Sequence, residues 1–383
     1  MVPAAREAWL QQSAEFGNPS SLHASGRRQR QAVEEARELI AGLLGTRPSA
    51  VVFTSGGTES DNLAVKGLFW RARATSGADR VVTSSIEHHA VLDPILWLEA
   101  DQGAQVTWLP VDSVGRIDED VLAATLADPS GVAVCSVMWA NNEVGTVQPV
   151  HRIAEACRAA GVPFHTDAVQ ALGHVPMDLG ELRADAVTLS SHKVGGPFGV
   201  GALVLDPGLA LTPVLHGGGQ EREVRSGTLD APSIVGFAAA VEHAVKGQEQ
   251  RAFHLVTLRE RLIGGVVASV PDVIVNGDLG TAPDERLPGN VHLSFPGCEG
   301  DLLLMLLDAA AIDCSTGSAC TAGIPEPSHV LMAMGRSEEQ ARSSLRFSLS
   351  ESTTEADVDA VVSALPGAVE RARRAGGARA QVS

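Results

Sequence analysis

The residue whose surroundings most clearly suggest chemistry is Lys193, at the end of the β-rich segment TLSSH. A glycine-rich run, VGGPFGVG, follows it directly. Glycines let a backbone approach a ligand closely, because they carry no side chain. A lysine amine, whose ordinary pKa is about 10.4, can condense with an aldehyde and hold a cofactor as a Schiff base. A solvated lysine at a loop edge is the alternative, and the neighbouring motifs weigh against it.

Two further polar residues would suit an aromatic aldehyde cofactor. Asp167 ends the segment VPFHTD, where its carboxylate can keep the pyridine nitrogen of pyridoxal phosphate (PLP) protonated and so make the ring an electron sink. Gln170 can donate a hydrogen bond to the phenolic oxygen of that ring. The alternative for both residues is a capping role at the start of the segment AVQALG.

The motif SGGTES (residues 55–60) predicts a place for a phosphate group. A glycine turn that opens a helix presents free N–H groups and the positive end of the helix dipole, and Thr58 adds a hydroxyl that can also cap the helix. The motif alone is weak evidence, since many helices begin this way. It matches neither the P-loop nor the GxGxxG pattern, which argues against a nucleoside triphosphate or a dinucleotide.

A histidine and a cysteine complete the candidate residues. His88 follows a predicted strand, where an imidazole can stack on a cofactor ring and transfer protons near neutral pH; a solvated loop histidine is the alternative. Cys320 lies in DCSTGSACTAG, whose small residues predict an accessible loop that carries a thiol between a buried cofactor and a partner protein. An inert role is predicted for the other cysteines, whose spacing suggests neither disulfides nor a zinc site: Cys135, Cys157, Cys298 and Cys314.

The elements that position these residues alternate between short β-rich runs and helical patterns. This alternation predicts a mostly parallel sheet covered on both faces, and ligands of such sheets bind at the carboxyl ends of the strands, where the motifs fall. In the helix 30–44, Val33, Ala36, Ile40 and Leu43 share one face. The predicted strands are 51–55, 80–85, 105–110, 131–140, 162–167, 185–190 and 201–205, and the other predicted helices are 58–73, 90–101, 117–126 and 150–160.

The pattern changes after residue 233 and predicts a second, smaller α+β domain. We expect a large domain over residues 1–245 and a C-terminal domain over 246–383 that carries the Cys320 loop. The last ten residues suggest a frayed tail. The elements predicted after residue 233 are one long helix near 233–268, strands at 290–295 and 343–349, and helices near 299–310, 326–334 and 355–373.

The charge of the chain limits its partners. The 383 residues include 29 basic and 46 acidic ones, a net charge of −17, which would repel nucleic acid and anionic lipid. No apolar run approaches the roughly 18–20 residues needed to cross a bilayer, and the opening MVPAAREAWLQQ shows no signal-peptide pattern. We therefore expect a cytoplasmic protein that binds neither nucleic acid nor membrane directly.

Taken together, the motifs resemble those of the cysteine desulfurases of the NifS/IscS type, which are class V aminotransferase-like PLP enzymes. The resemblance extends from FGNPSSLH (16–23) to SSLRFSL (343–349) and rests on FTSGGTESDNLA, EHHAVLD, NNEVGTVQ, HTDAVQALG, SSHKVGGPFGVGAL, HGGGQEREVRSGT and GSACT. It implies a homodimer of the fold-type I PLP transferase class (α/β), with a mostly parallel seven-stranded sheet in the large domain. It also implies that L-cysteine is converted to L-alanine and that a persulfide forms on the enzyme.

The resemblance further implies a role for each matching residue. Lys193 would form the Schiff base, Asp167 and Gln170 would bind the ring, and His88 would stack on it as acid and base. Cys320 would take the sulfur and pass it to an acceptor protein, such as an iron–sulfur scaffold or a tRNA-thiolation protein. No metal is implied. The phosphate ligands would be Gly57, Thr58, Ser190, His192 and, from the second subunit, Thr228; the substrate carboxylate would be bound by Asn142, which also lines the cofactor, and Arg346.

Two other functions remain open on the sequence. A transaminase, a selenocysteine-specific lyase or a β-eliminating lyase would also use PLP but needs no mobile thiol, so that a Cys320→Ala variant distinguishes these enzymes from a desulfurase. A non-catalytic scaffold of a sulfur-transfer complex is the third possibility, suggested by an opening that lacks the AATTP-like turn usual in relatives. A part for Cys298 or Cys314 in a sulfur relay, or in a transient cluster with Cys320, is open as well.

Overall fold

The computed structural model describes residues 1–316 and 326–380, with side chains as far as residue 375 in its last helix. These residues form two compact units. Unit 1 consists of Met1–Leu109, Asp118–Ala140 and Pro149–Gln248, and unit 2 consists of Pro110–Ile117, Asn141–Gln148 and the chain from Glu249 onward.

This division differs from the predicted single boundary between residues 245 and 246. The segments 110–117 and 141–148 interrupt the sequence of unit 1, yet they belong to unit 2 because their hydrogen bonds go there. Leu287 N donates to Gly145 O over 2.8 Å, and Val147 N donates to Glu285 O over 3.1 Å. Local patterns cannot reveal this arrangement, since the partners lie far apart in the sequence.

Unit 1 is built on a seven-stranded, mostly parallel sheet, as predicted. Its strands are β1 (Val51–Thr54), β2 (Arg80–Ser84), β3 (Gln105–Leu109), β4 (Val132–Ser136), β5 (Phe164–Asp167), β6 (Ala186–Ser190) and β7 (Gly201–Leu205). Their order in the sheet is β1-β7-β6-β5-β4-β2-β3. Only β7 runs antiparallel to its neighbours β6 and β1. Strands β1, β4, β5, β6 and β7 are buried along their whole length, as expected for β-branched and apolar runs covered on both faces.

The helices of unit 1 cover this sheet, and most of them lie where the sequence predicts them. Two short ones, α1 and α7, were not predicted. Leu44, the C-cap of α2, is fully buried while Leu43 is only half-buried, so the predicted apolar face was off by one residue at its end. The helices are α1 (Pro3–Ser13), α2 (Ala24–Leu43), α3 (Gly57–Ser76), α4 (His89–Gln102), α5 (Glu119–Leu126), α6 (Val150–Ala160), α7 (Leu179–Leu182) and α8 (Ala231–Lys246).

Unit 2 combines a four-stranded antiparallel sheet with five helices among the residues described. The predicted helix over 233–268 is two helices, α8 and α9, that meet at Gly247. The final helix continues to Ala380, so that most of the tail predicted to fray is helical. The remaining elements are α9 (Gln248–Ser269), β8 (Ile274–Asn276), β9 (Asn290–Ser294), α10 (Gly300–Asp308), β10 (Ser315–Thr316), α11 (His329–Ala333), α12 (Glu338–Arg342), β11 (Ser344–Ser348) and α13 (Glu355–Ala380).

The two faces of the unit 2 sheet, whose order is β10-β11-β9-β8, differ in chemistry. Alternate residues of β9 and β11, such as Leu293 and Phe347, join an apolar core with α9, α10 and α13. The intervening residues of β9 are polar and still buried: Asn290 is 7% exposed, and His292 and Ser294 are fully buried. A buried polar face is unusual because each of its groups needs a hydrogen-bond partner.

No helix in the part of the chain that the structure describes is both long and apolar enough to cross a membrane.

Candidate active site

Lys193 lies in a single 3₁₀ turn, Ser191–Val194, that follows directly on β6. Its side chain is exposed. Gly195 ends the turn in the left-handed region (φ 75°), and its carbonyl accepts a hydrogen bond from Val2 N over 2.8 Å. A Cβ atom on Gly196 would lie 2.1 Å from Ser191 Oγ. Close packing therefore requires glycine at positions 195 and 196, and it holds Lys193 at the carboxyl end of the sheet.

Asp167, at the carboxyl end of β5, is only 6% exposed. Its Oδ1 accepts a hydrogen bond from Val169 N over 2.9 Å, and the residues that follow form turns rather than a helix. Gln170 lies in the same turn and is half-buried. Burial raises the pKa of Asp167 to about 6, while the Val169 N–H and the positive charge of Lys193 act in the opposite direction. At neutral pH this carboxyl is therefore mainly ionised.

Behind Asp167 lies a buried polar cluster that the sequence analysis missed, formed by Asp61, Glu87 and His165. All three side chains are at most 1% exposed. Nδ1 of His165 lies 2.8 Å from Ser136 Oγ, and its Nε2 lies 3.5 Å from Asp61 Oδ1. The presence of His165 within a buried strand, FHTD, was the available signal. Asp167, two residues later, is enough to account for the polar end of this segment, so the pattern does not require a role for His165.

The charges of this cluster follow from its burial. Burial lowers the pKa of His165 to about 3, so the imidazole is neutral. Burial raises the pKa of Glu87 to about 8, and the neighbouring Asp167 raises it as well. Burial, followed by the charge of Asp167, raises the pKa of Asp61 well above its usual range. Three carboxyls share one buried region, and burial disfavours the charged form of Asp61 and of Glu87 more strongly than that of Asp167.

The predicted phosphate site lies at the first turn of α3, and one detail of the prediction is wrong. The N-cap is Gly56, with φ 149°, and not Thr58, which lies exposed in the first turn with Gly57. No side chain caps this helix end, so its first N–H groups can bind an anion. A Cβ atom on Gly201 would lie 2.7 Å from Gly56 Cα, so β7 approaches this turn too closely for any side chain.

Ser190 and His192 lie in unit 1 beside Lys193. Ser190 is buried at the end of β6, and its Oγ lies 2.9 Å from His192 Nδ1. Burial, and then the charge of Lys193, lowers the pKa of His192, which keeps this imidazole neutral. Thr228 is exposed and lines a cavity of about 510 Å³ with residues such as Asn18 and His23.

His88 is the N-cap of α4 and is half-buried. Its Nδ1 accepts a hydrogen bond from Ala90 N over 3.1 Å. Because that nitrogen uses its lone pair on the backbone, a neutral His88 carries its proton on Nε2. His89, in contrast, lies 2.9 Å from Asp93 on the helix surface. The fold thus distinguishes the two adjacent histidines, which the sequence analysis could do only through the family motif.

Asn142 and Arg346 are both part of unit 2. Nη1 of Arg346, on β11, donates to the backbone carbonyl of Asn142 over 2.8 Å. Nδ2 of Asn290 donates to the carbonyl of Glu143 over 3.0 Å. The loop that carries Asn142 is therefore tied to the polar face of the unit 2 sheet, and the two predicted carboxylate ligands lie together.

Cys320 lies outside the described residues. Among the cysteines that are described, Cys135 and Cys157 are fully buried, as predicted for inert residues. Burial raises the pKa of Cys298 and raises that of the half-buried Cys314 to about 11. Both thiols are therefore protonated near neutral pH, a state in which sulfur is a poor nucleophile.

Known proteins are similar to this chain in sequence and in fold. The family model described as aminotransferase class-V matches residues 4–361. The chain is 54% identical to the IscS-like cysteine desulfurase of Mycobacterium tuberculosis (strain ATCC 25618 / H37Rv), over all of this chain and 97% of that protein. A solved NifS-like protein superposes with a TM-score of 0.87 at 34% identity, covering 96% of this chain and 95% of its own. Another solved structure, described as SspA in complex with cysteine, gives a TM-score of 0.77 at 35% identity. The superposition covers 91% of this chain and 95% of that one.

A family match over most of the chain and high identity over its full length leave little room for a different assignment. The chain belongs to the class V aminotransferase family, and within it to the cysteine desulfurases of the NifS/IscS type.

Proposed function

We propose that this desulfurase uses PLP to remove sulfur from L-cysteine, releasing L-alanine and leaving a persulfide on Cys320. The observation that carries the proposal is the buried carboxylate of Asp167, which is 6% exposed. The positive charge of the Lys193 amine lowers the pKa of this carboxyl. An anion in such a place needs a cationic partner, and a protonated pyridine ring suits it. The uncapped start of α3 suits the phosphate of the same cofactor.

Each residue then has a distinct task. Lys193 supplies the amine that binds the cofactor, and Asp167 keeps the ring nitrogen protonated, with Gln170 beside the ring. His88, whose Nε2 carries the proton, moves protons to and from the substrate. When bound, PLP draws electrons away from the α-carbon of the substrate. The phosphate ligands are Gly57, Thr58, Ser190, His192 and, across a homodimer, Thr228.

A protein side chain, the thiol of Cys320, carries out the transfer of sulfur. The Cys320 thiolate attacks the sulfur of the substrate, a sulfur–sulfur bond forms, and the carbon–sulfur bond breaks. The electron pair of that bond stays on carbon, which takes a proton and becomes the methyl group of alanine. Arg346 and Asn142 hold the substrate carboxylate during this step. No external oxidant is needed, because the carbon that keeps the electron pair is reduced as the sulfur is oxidised.

We also propose that the persulfide passes to an acceptor protein for iron–sulfur cluster assembly or tRNA thiolation in the cytoplasm. The names of similar desulfurases support a sulfur-transfer role. The net charge of −17 disfavours a direct nucleic-acid target, so that sulfur delivery to RNA would need a carrier.

The test measures alanine and sulfide released from L-cysteine in the presence of a thiol reductant. We expect Lys193→Ala to abolish both products and Cys320→Ser to keep the yellow colour of bound PLP while losing sulfur transfer. Lys246→Ala, which removes an exposed lysine paired with Glu242, is the matched control and should behave as wild type. Unchanged turnover in Cys320→Ser would point to another PLP reaction, and a colourless protein that ignores added PLP would refute the proposal altogether.

A further inference from the structure

A chain of hydrogen bonds crosses the polar face of the unit 2 sheet and ends at Arg346. Its central residue is His292 on β9, which is the register partner of Asn276 on β8 and of Arg346 on β11. Side chains of directly paired residues share one face of a sheet and lie next to each other. Asn276 and His292 are fully buried, and Arg346 is half-buried. We call Asn276, His292 and Arg346 the polar row.

The direction of each hydrogen bond in the polar row follows from chemistry alone. Nε of Arg336 lies 3.1 Å from Asn276 Oδ1, and an arginine can only donate. The amide of Asn276 is therefore oriented with its Nδ2 toward Ser294 Oγ, at 2.8 Å, and His292 Nδ1, at 3.2 Å. Since Nδ2 is a donor, His292 Nδ1 must accept. The proton of a neutral His292 consequently resides on Nε2.

The surroundings keep this imidazole neutral. Burial lowers the pKa of His292 to about 3, and the charges of Arg346 and Arg286 lower it further. A second proton would also have to sit on Nδ1, directly opposite the amide hydrogens of Asn276. His292 is thus restricted to one protonation state and one tautomer.

The N–H group at His292 Nε2 cannot accept a hydrogen bond from the Arg346 guanidinium, which can only donate. Among the described residues, neither His292 Nε2 nor Arg346 Nε has a hydrogen-bond acceptor. A buried donor without an acceptor destabilises the folded protein, so a fold that keeps two of them suggests that the arrangement has a function. Arg346 is the register partner of His292, and its charge acts on the imidazole. If the tautomer were reversed, Nε2 would carry a lone pair that could accept a hydrogen bond from this neighbouring guanidinium.

We propose that His292 is a positioning residue for substrate binding: its fixed Nε2–H tautomer, set by Asn276 and Arg336, keeps Arg346 free to bind the carboxylate of the amino-acid substrate. This rests on the proposed role of Arg346 in binding L-cysteine. It assigns to Asn276 and Arg336 a part in the reaction, although neither is expected to touch the substrate.

The decisive variant is Asn276→Asp, which replaces one NH₂ by an oxygen of similar size and adds a negative charge. A carboxylate there accepts from Arg336 as before, but it also accepts from His292, which moves the imidazole proton from Nε2 to Nδ1. The freed lone pair on Nε2 then competes for Arg346. We expect the KM for L-cysteine to rise about tenfold to hundredfold, the usual effect of one lost charged hydrogen bond, with kcat and the colour of bound PLP little changed.

Ser294→Ala is the matched control, because it removes the other acceptor of Asn276 Nδ2 and leaves the bond to His292; its KM should stay within about twofold of wild type. Nitrogen-15 NMR of the histidines, with the His292 signal assigned through His292→Phe, reports the tautomer in the protein with or without PLP. If Asn276→Asp fails to fold, Arg336→Met, which lets the Asn276 amide turn over, should raise KM in the same direction.

Several results would overturn the inference. These are an Nδ1–H or doubly protonated His292 in the wild type, an unchanged KM in Asn276→Asp, or an equal rise in Ser294→Ala. A loss of kcat and colour together with KM would indicate a general structural defect instead, and would count against it too. Absence of alanine from wild-type enzyme would refute the proposed function, while the NMR measurement would still decide the state of His292.

Discussion

Glu87→Gln should make the protein more stable at alkaline pH and leave it unchanged at acid pH. The wild-type side chain is fully buried, with its Oε1 accepting from Ser84 Oγ over 2.5 Å and from Met138 N over 2.9 Å. Glutamine keeps an oxygen at that place and carries no charge. The substitution therefore removes an ionisable group while conserving the two hydrogen bonds.

The magnitude follows from the pKa of Glu87, which burial raises from 4.5 to about 8. A carboxyl whose folded pKa exceeds its unfolded pKa favours folding fully below about pH 4.5, and this contribution is lost as the pH rises through 8. The difference between the two pKa values lowers the free energy of unfolding of the wild type by about 5 kcal/mol at pH 8.5. This figure is an upper bound, because water enters buried sites and the sites relax. We thus expect Glu87→Gln to exceed wild type by several kcal/mol at pH 8.5 and to match it at pH 4.5.

The assay is urea unfolding at the two pH values, followed by tryptophan fluorescence. Glu38→Gln, on the exposed side of α2, is the control and should change stability little at either pH. A variant no more stable than wild type at pH 8.5 would show that burial does not raise the pKa of Glu87, and that this side chain carries its charge in the folded protein already at neutral pH.

Two other predictions concern the cofactor site. Gly201→Ala should weaken PLP binding at least tenfold in a spectroscopic titration, because the new Cβ would lie 2.6 Å from Leu189 O and 2.7 Å from Gly56 Cα. The control is Gly264→Ala, where a Cβ would have open space around it. Equal PLP affinity in both variants would contradict the packing argument. His88→Asn should keep the N-cap of α4 and lose alanine production. His88→Ala should lose alanine production and also about 1 kcal/mol of stability in denaturant unfolding. Activity retained in His88→Asn would exclude His88 as the proton carrier.

Local patterns predicted the elements of this protein well. Helix α6 runs from Val150 to Ala160 as predicted, with Ile153 and Cys157 on its buried side, because a repeat of apolar residues on one face is itself the cause of helix packing. The seven strands of unit 1 were predicted for a similar reason. The prediction that Thr58 caps α3 was wrong. Threonine is a good N-cap residue, but the N-cap here is Gly56, which β7 approaches closely at Gly201.

The sequence by itself determined the sheet, most of the helices and, through its motifs, the family and the candidate residues near Lys193. Only the tertiary structure decided which buried groups meet. Asp61 and His165 approach across α3 and β5, and Asn276, His292 and Arg346 align across three strands. The physical reason is that secondary structure depends on neighbours three or four residues away, while the protonation of a buried group depends on charges and hydrogen-bond partners that come from distant parts of the chain.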